Sequence, residues 1–159
     1  MHELQDIESL NKRAFNGELE VTAVSIHAYA SLSDRYALLT SGASMGDKYG
    51  PRLVSRTPAT RADVKGKRIA IPGFKTSAYL ALRLYEPDFI AVPVHFDLIE
   101  DAVLDGSVDM GLLLHEGQLT FGDRGLHLVA DMGEWWFGET GLPLPLGGNV
   151  VRKDFKPDV

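Results

Sequence analysis

Residues 108–121 read VDMGLLLHEGQLTF, and the fold follows from their middle. Met110, Gly111, Leu112, Leu113 and Leu114 form an unbroken run of apolar residues and glycine between Asp109 and the triplet His115, Glu116, Gly117. Such a run, apolar on both faces and polar at its carboxyl end, is how a buried strand of a mostly parallel sheet reads. In open α/β sheets ligands gather beyond the carboxyl ends of the strands. His115 and Glu116 therefore stand where chemistry is usually done. The same place also suits a His that caps a strand by bonding a neighbouring carbonyl, and sequence position does not separate the two readings.

The rest of the composition agrees with an ordinary α/β chain. Its 159 residues are 45% hydrophobic and 24% charged, with a formal net charge of −6. That suits one domain or two small lobes. The acidic balance and scattered basic residues argue against a nucleic-acid surface. Without cysteine there are no disulfides, thiolate nucleophiles or cysteine metal sites. No apolar run approaches a membrane span, and MHELQDIESL does not read as a signal peptide, so the chain as written is expected to be cytoplasmic.

Taken in order, apolar residues at Leu4, Ile7, Leu10, Ala14 and Phe15 predict a helix that Gly17 ends. Residues 19–26 read as a strand closing on His27, 31–39 as a short helix, and 41–51, SGASMGDKYGP, as a flexible loop or a crossover. Strands are expected at 67–71 and 89–94, with a helix at 78–85 between them. Asp97 and Glu100 have the spacing of a capping box for a helix ended by Gly106. After the opening stretch come a strand at 126–130 and a Gly- and Pro-rich segment, MGEWWFGETGLPLPLGG, too irregular for a helix. It reads as a crossover back to the first lobe, with 149–152 as a closing strand. Trp135 and Trp136 within it either wall a cleft for a flat ligand or pack a junction.

Two features point to function. The strand–PGFKTS–helix passage, 67–85, puts backbone N–H groups and the hydroxyls of Thr76 and Ser77 at a helix start. That arrangement suits a carboxylate or phosphate, whereas simple N-capping would use one hydroxyl. The order helix, glycine, acidic residue, apolar strand, His also occurs twice, around Gly17 and His27 and around Gly106 and His115. Two similar lobes, each presenting a strand end with a His, follow from that repeat.

The blocks SGASMGDKYGP, GKRIAIPGFKTSAYLALRL, GLLLHEGQLTF, GEWW and GLPLPLGGNVVRKD together resemble the 1,4-dihydroxy-6-naphthoate synthase family of menaquinone biosynthesis by the futalosine pathway. The resemblance runs from about Asp6 to Asp154 in the family's order. It implies the bilobal α/β fold of type II periplasmic solute-binding proteins, each lobe a mixed sheet flanked by helices. Residues 1–50 and 131–159 would form lobe 1 and 51–130 lobe 2. Family members have a further strand before the first helix and further helices after the closing strand, so the resemblance implies truncation at both ends.

By the same resemblance the reaction converts cyclic dehypoxanthinyl futalosine to 1,4-dihydroxy-6-naphthoate, releasing dihydroxyacetone, without metal or organic cofactor. His115 would be the proton acceptor, and Ser25, His27, Thr76 and Ser77 would contact the substrate. An imidazole, with an unperturbed pKa of about 6.5, suits proton removal during aromatisation. Trp135, Trp136 or Tyr29 would stack on the aromatic product. The fold would equally serve a solute-binding protein for a small carboxylate without catalysis, or chorismate dehydratase.

Overall fold

The computed structural model describes residues 3–114 and 117–156. The chain divides into two compact units. The first comprises residues 1–45, 75–77 and 145–159, the second residues 46–74 and 78–144.

The first unit opens with α1 (Ile7–Asn16). Asp6 Oδ1 caps it, accepting from the backbone N–H of Glu8 at 3.1 Å and of Ser9 at 3.0 Å. Gly17 ends it in the left-handed region at φ 73°, where the residue without a Cβ is least strained. β1 (Val21–Ser25) leads into α2 (Ile26–Tyr29), and β2 (Tyr36–Gly46) and β8 (Leu144–Arg152) complete a sheet of order β1-β8-β2. β1 and β8 run antiparallel, Val21 opposite Val151 and Ser25 opposite Gly147. Ala14, Val24, Ala28, Leu32, Tyr36 and Val150 form the core beneath them.

The second unit holds a five-stranded mixed sheet of order β5-β4-β6-β3-β7. Its strands are β3 (Arg52–Ser55), β4 (Arg68–Ile71), β5 (Ile90–Pro93), β6 (Met110–Leu113) and β7 (His127–Asp131). β4 runs parallel to β5 and β6, whereas β3 is antiparallel to β6 and β7. β6, the strand of the opening stretch, is buried along its whole length. A Cβ on Gly111 would come within 2.6 Å of Ile99 and 2.7 Å of Val103, so glycine there lets α4 (Ile99–Leu104) lie against the strand. Val54, Ala70, Ile99, Val103, Val108, Leu113 and Leu126 make this unit's core. α3 (Ser77–Tyr85), α5 (Gly117–Thr120) and α6 (Met132–Thr140) are the remaining helices among the described residues.

Four expectations are corrected. Residues 36–46 are a strand, where a helix and a loop were expected. Residues 38–45 are exposed, so no buried face imprinted a period on the sequence. Residues 132–140 are a helix in spite of two glycines. Asp131 caps it, Gly141 ends it at φ 70°, and Trp135 packs edge-on to Tyr85 with ring centroids 5.4 Å apart. The spacing Asp131-x-x-Glu134 was the available signal. Residues 131–144 accordingly group with the second unit, not with lobe 1, and 75–77 group with the first. Finally, Asp97 does not cap α4; a 3-10 turn, Phe96–Leu98, precedes that helix, and Glu100 bonds Arg124 at 3.0 Å instead.

Candidate functional site

The four residues expected to contact substrate come together in the first unit, although 49 positions separate His27 from Thr76. β1 delivers Ser25 at its carboxyl end, α2 carries His27, and Thr76 and Ser77 stand at the start of α3. Ser25, Thr76 and Ser77 are all buried.

Hydrogen bonds lock this cluster. The backbone N–H of His27 donates to Ser77 Oγ at 3.2 Å, and Ser77 Oγ donates its own hydrogen to the carbonyl of Leu146 at 2.6 Å. One hydroxyl thus fastens the β1–α2 turn and β8 to the first residue of α3. His27 Nδ1 lies 3.2 Å from the carbonyl oxygen of Thr76. A carbonyl only accepts, so Nδ1 carries the proton and Nε2 is the basic nitrogen of the neutral ring. Lys75 brings a cation beside the group, its Nζ 3.5 Å from Ser31 Oγ and 5.9 Å from the centre of the Phe15 ring.

Sequence reasoning missed Asn11. It lies on α1 and is 1% exposed. Its Oδ1 accepts from the backbone N–H of Ser25 at 2.9 Å, and its Nδ2 donates to Ser25 Oγ at 3.1 Å. The signal was an amide on the apolar stripe of a helix, where a polar residue must find partners within the core. Next to it, burial pushes the carboxyl of Glu8 up from its ordinary range, against the opposing pull of Lys12 and of Asn11.

His115, the expected proton acceptor, and Glu116 lie outside the described residues. The backbone after them is tied down within the second unit. Arg52 Nη1 donates to the carbonyl of Gln118 at 2.5 Å, while its Nε donates to Asp131 Oδ2 at 3.2 Å. Trp135 and Trp136 pack edge-on to each other with centroids 6.2 Å apart. Neither buried indole N–H has a partner among the described residues. Trp135 also stands edge-on to Tyr85 within the second unit, with ring centroids 5.4 Å apart. Among the described residues no group of three or more His, Asp or Glu side chains is arranged to hold a metal ion. Nor is any helix among them long and apolar enough to cross a membrane.

These two units, each a sheet flanked by helices, define the fold class of periplasmic solute-binding proteins. The alkanesulfonate-binding protein of Xanthomonas axonopodis pv. citri superposes with a TM-score of 0.68 at 19% identity, over 91% of this chain and 51% of that one. That degree of likeness speaks for the fold alone. A crystal structure of a protein from Archaeoglobus fulgidus superposes with a TM-score of 0.92 at 51% identity, over 99% of this chain and 58% of its own. The chain belongs to the menaquinone-biosynthesis family, whose model matches residues 1–159. It is 44% identical to the 1,4-dihydroxy-6-naphtoate synthase of Thermus thermophilus over 151 residues, 95% of this chain and 55% of the relative. To the synthase of the same name from Streptomyces coelicolor it is 40% identical over 154 residues, 93% of this chain and 54% of the relative. The chain thus spans about half the length of the curated relatives it matches.

Proposed function

We propose that this chain carries the substrate-binding cluster and the proton acceptor of a 1,4-dihydroxy-6-naphthoate synthase. The reaction would be a carbon–carbon lyase step on cyclic dehypoxanthinyl futalosine, releasing dihydroxyacetone, in the cytoplasm. The observation that carries the reading is the convergence of Ser25, His27, Thr76 and Ser77, assigned to substrate from the sequence, into one hydrogen-bonded cluster. The shared name of the two relatives supports it.

The chemistry fits the residue types. Building an aromatic ring while a carbon fragment departs requires that protons be removed and returned. We assign the removal to the imidazole of His115, a general base suited to neutral pH. A substrate carboxylate would be held at the cluster by hydroxyl and backbone donors, which form charge-assisted hydrogen bonds to anions. His27 would act through Nε2, its Nδ1 proton being engaged by Thr76.

The test is turnover of cyclic dehypoxanthinyl futalosine, followed by the absorbance of the naphthoate product. We expect product from the chain extended at both ends to the length of its relatives, its loss in His115→Ala with substrate binding kept, and a smaller effect in His27→Ala. The reverse order of effects would reassign the proton acceptor. Absence of turnover, with a small carboxylate still raising Tm, would turn the reading into one of solute binding without catalysis. Turnover of chorismate instead would identify the dehydratase.

A further inference from the structure

Ser25 is the N-cap residue of α2, yet its side chain makes no capping bond. A serine at that position ordinarily accepts from a backbone N–H one turn on. Here the lone pair of Oγ is taken by Asn11 Nδ2 at 3.1 Å. The orientation of the amide is dictated by its other end. The backbone N–H of Ser25, 2.9 Å away, can only donate, so Oδ1 must face it and Nδ2 must face the hydroxyl. Asn11 also favours the ionised form of Glu8, which only the N–H end of the amide does.

The consequence concerns one hydrogen. Because Oγ accepts from Asn11, the Ser25 hydroxyl does not spend its own proton there. Among the described residues no other acceptor takes it. A side chain 2% exposed with an unspent donor sits at the strand end that leads to His27. Leaving a buried donor unpaired is costly, so the site is built for an acceptor that arrives with the ligand.

We propose that Asn11 is a positioning residue that sets the polarity of the Ser25 hydroxyl, so that Ser25 donates its hydrogen to an anionic oxygen of the bound substrate. The inference rests on the proposed assignment of Ser25 to the substrate-binding cluster and goes beyond it by naming the direction of the bond and the residue that imposes it.

The test exploits the one variant that reverses the polarity. Asn11→Asp keeps the acceptor for the Ser25 N–H but replaces the amide donor with an oxygen, so the hydroxyl must turn its hydrogen toward α1 and offer the ligand only lone pairs. The readout is the Kd for 1,4-dihydroxy-6-naphthoate and for its carboxamide, measured by titration calorimetry on the full chain, alongside KM and kcat. We expect Asn11→Asp to weaken the carboxylate roughly tenfold, as one charge-assisted bond is lost. The carboxamide, which brings both donors and acceptors, should change by less than twofold. KM should rise with kcat nearly unchanged. Ser25→Ala should weaken the carboxylate as much, and adding Asn11→Asp to Ser25→Ala should weaken it no further. A merely structural role would lower Tm and both affinities together, and a through-space effect of the new charge would persist in the Ser25→Ala background; either result overturns the proposal. If Asn11→Asp fails to fold, Asn11→Ala replaces it; that variant frees the hydroxyl rather than reversing it, so the carboxylate should weaken by less than in Ser25→Ala, and no weakening at all overturns the proposal. Wild-type protein that binds the carboxylate, with Asn11→Asp unchanged, overturns the inference alone. Wild-type protein that binds neither compound and turns over no substrate overturns the functional reading and this inference with it.

Discussion

His27 Nδ1 lies 3.2 Å from the carbonyl oxygen of Thr76, and that contact fixes the tautomer of the ring. Asn can place its side-chain N–H near where Nδ1 stands, whereas Gln reaches further and mimics Nε2. His27→Asn should therefore keep the anchor to Thr76, and His27→Gln should lose it at a cost of about 1 kcal/mol, the net worth of one hydrogen bond. Urea midpoints of the two variants check this. Equal destabilisation would mean that the Nδ1 contact contributes nothing.

Asp131 does two things with one carboxylate. Oδ1 caps α6 through the N–H groups of Gly133 at 2.9 Å and Glu134 at 3.2 Å, and Oδ2 takes Arg52. Asp131→Ala should cost about 2–3 kcal/mol, roughly 1 from the cap and the rest from the charge-assisted bond to Arg52. Asp131→Ser restores a capping oxygen but no charge, and should regain about 1 kcal/mol of that loss. Chemical denaturation of the three proteins gives the ranking.

Two glycines of one helix should respond oppositely to alanine. In an exposed helix interior Gly→Ala ordinarily stabilises by about 1 kcal/mol. Gly138 has nothing within 4 Å of an added Cβ, so Gly138→Ala should follow that rule. At Gly133 the same atom would fall 1.9 Å from the carbonyl oxygen of Tyr49 and 2.1 Å from its carbon. Backbone cannot rotate out of the way as a side chain can, so Gly133→Ala should lower Tm. A rise in Tm for both would contradict this packing.

Stability should depend on pH through Glu8. Burial raises its carboxyl above the ordinary glutamate range, so the folded protein holds that proton more tightly than the unfolded chain does. The stabilising contribution of the protonated form is complete below the unfolded value and is lost as pH rises through the higher folded value. Glu8→Gln should consequently raise Tm at neutral pH, with the difference shrinking as the pH falls toward 4.5. A difference that grows on acidification would reverse the sign of the argument.

Legibility in the sequence tracked burial. β6 was readable because both of its faces are buried, and α1 because its cap, apolar stripe and terminal glycine agree. β2 was not, since its long exposed stretch carries no apolar period. α6 was hidden by composition: its glycines suit close backbone approach and a capped end, which a residue count reads as loop. At the candidate site, strand ends, a helix start and family wording singled out Ser25, His27, Thr76 and Ser77, which the fold brings together in one unit. Asn11 was not singled out, because its role is defined by a partner on another element.

By itself, then, the amino-acid sequence determined the α/β class, the buried central strand, the helix boundaries marked by Gly17 and Gly106, and the family, because each is written in local pattern or in residue wording. Tertiary structure alone decided which strands pair, that 131–144 belong with the second unit, and which nitrogen of His27 is basic. Those outcomes depend on contacts between residues far apart in the chain. The direction of a hydrogen bond at Ser25 or His27 exists only once both partners are in place.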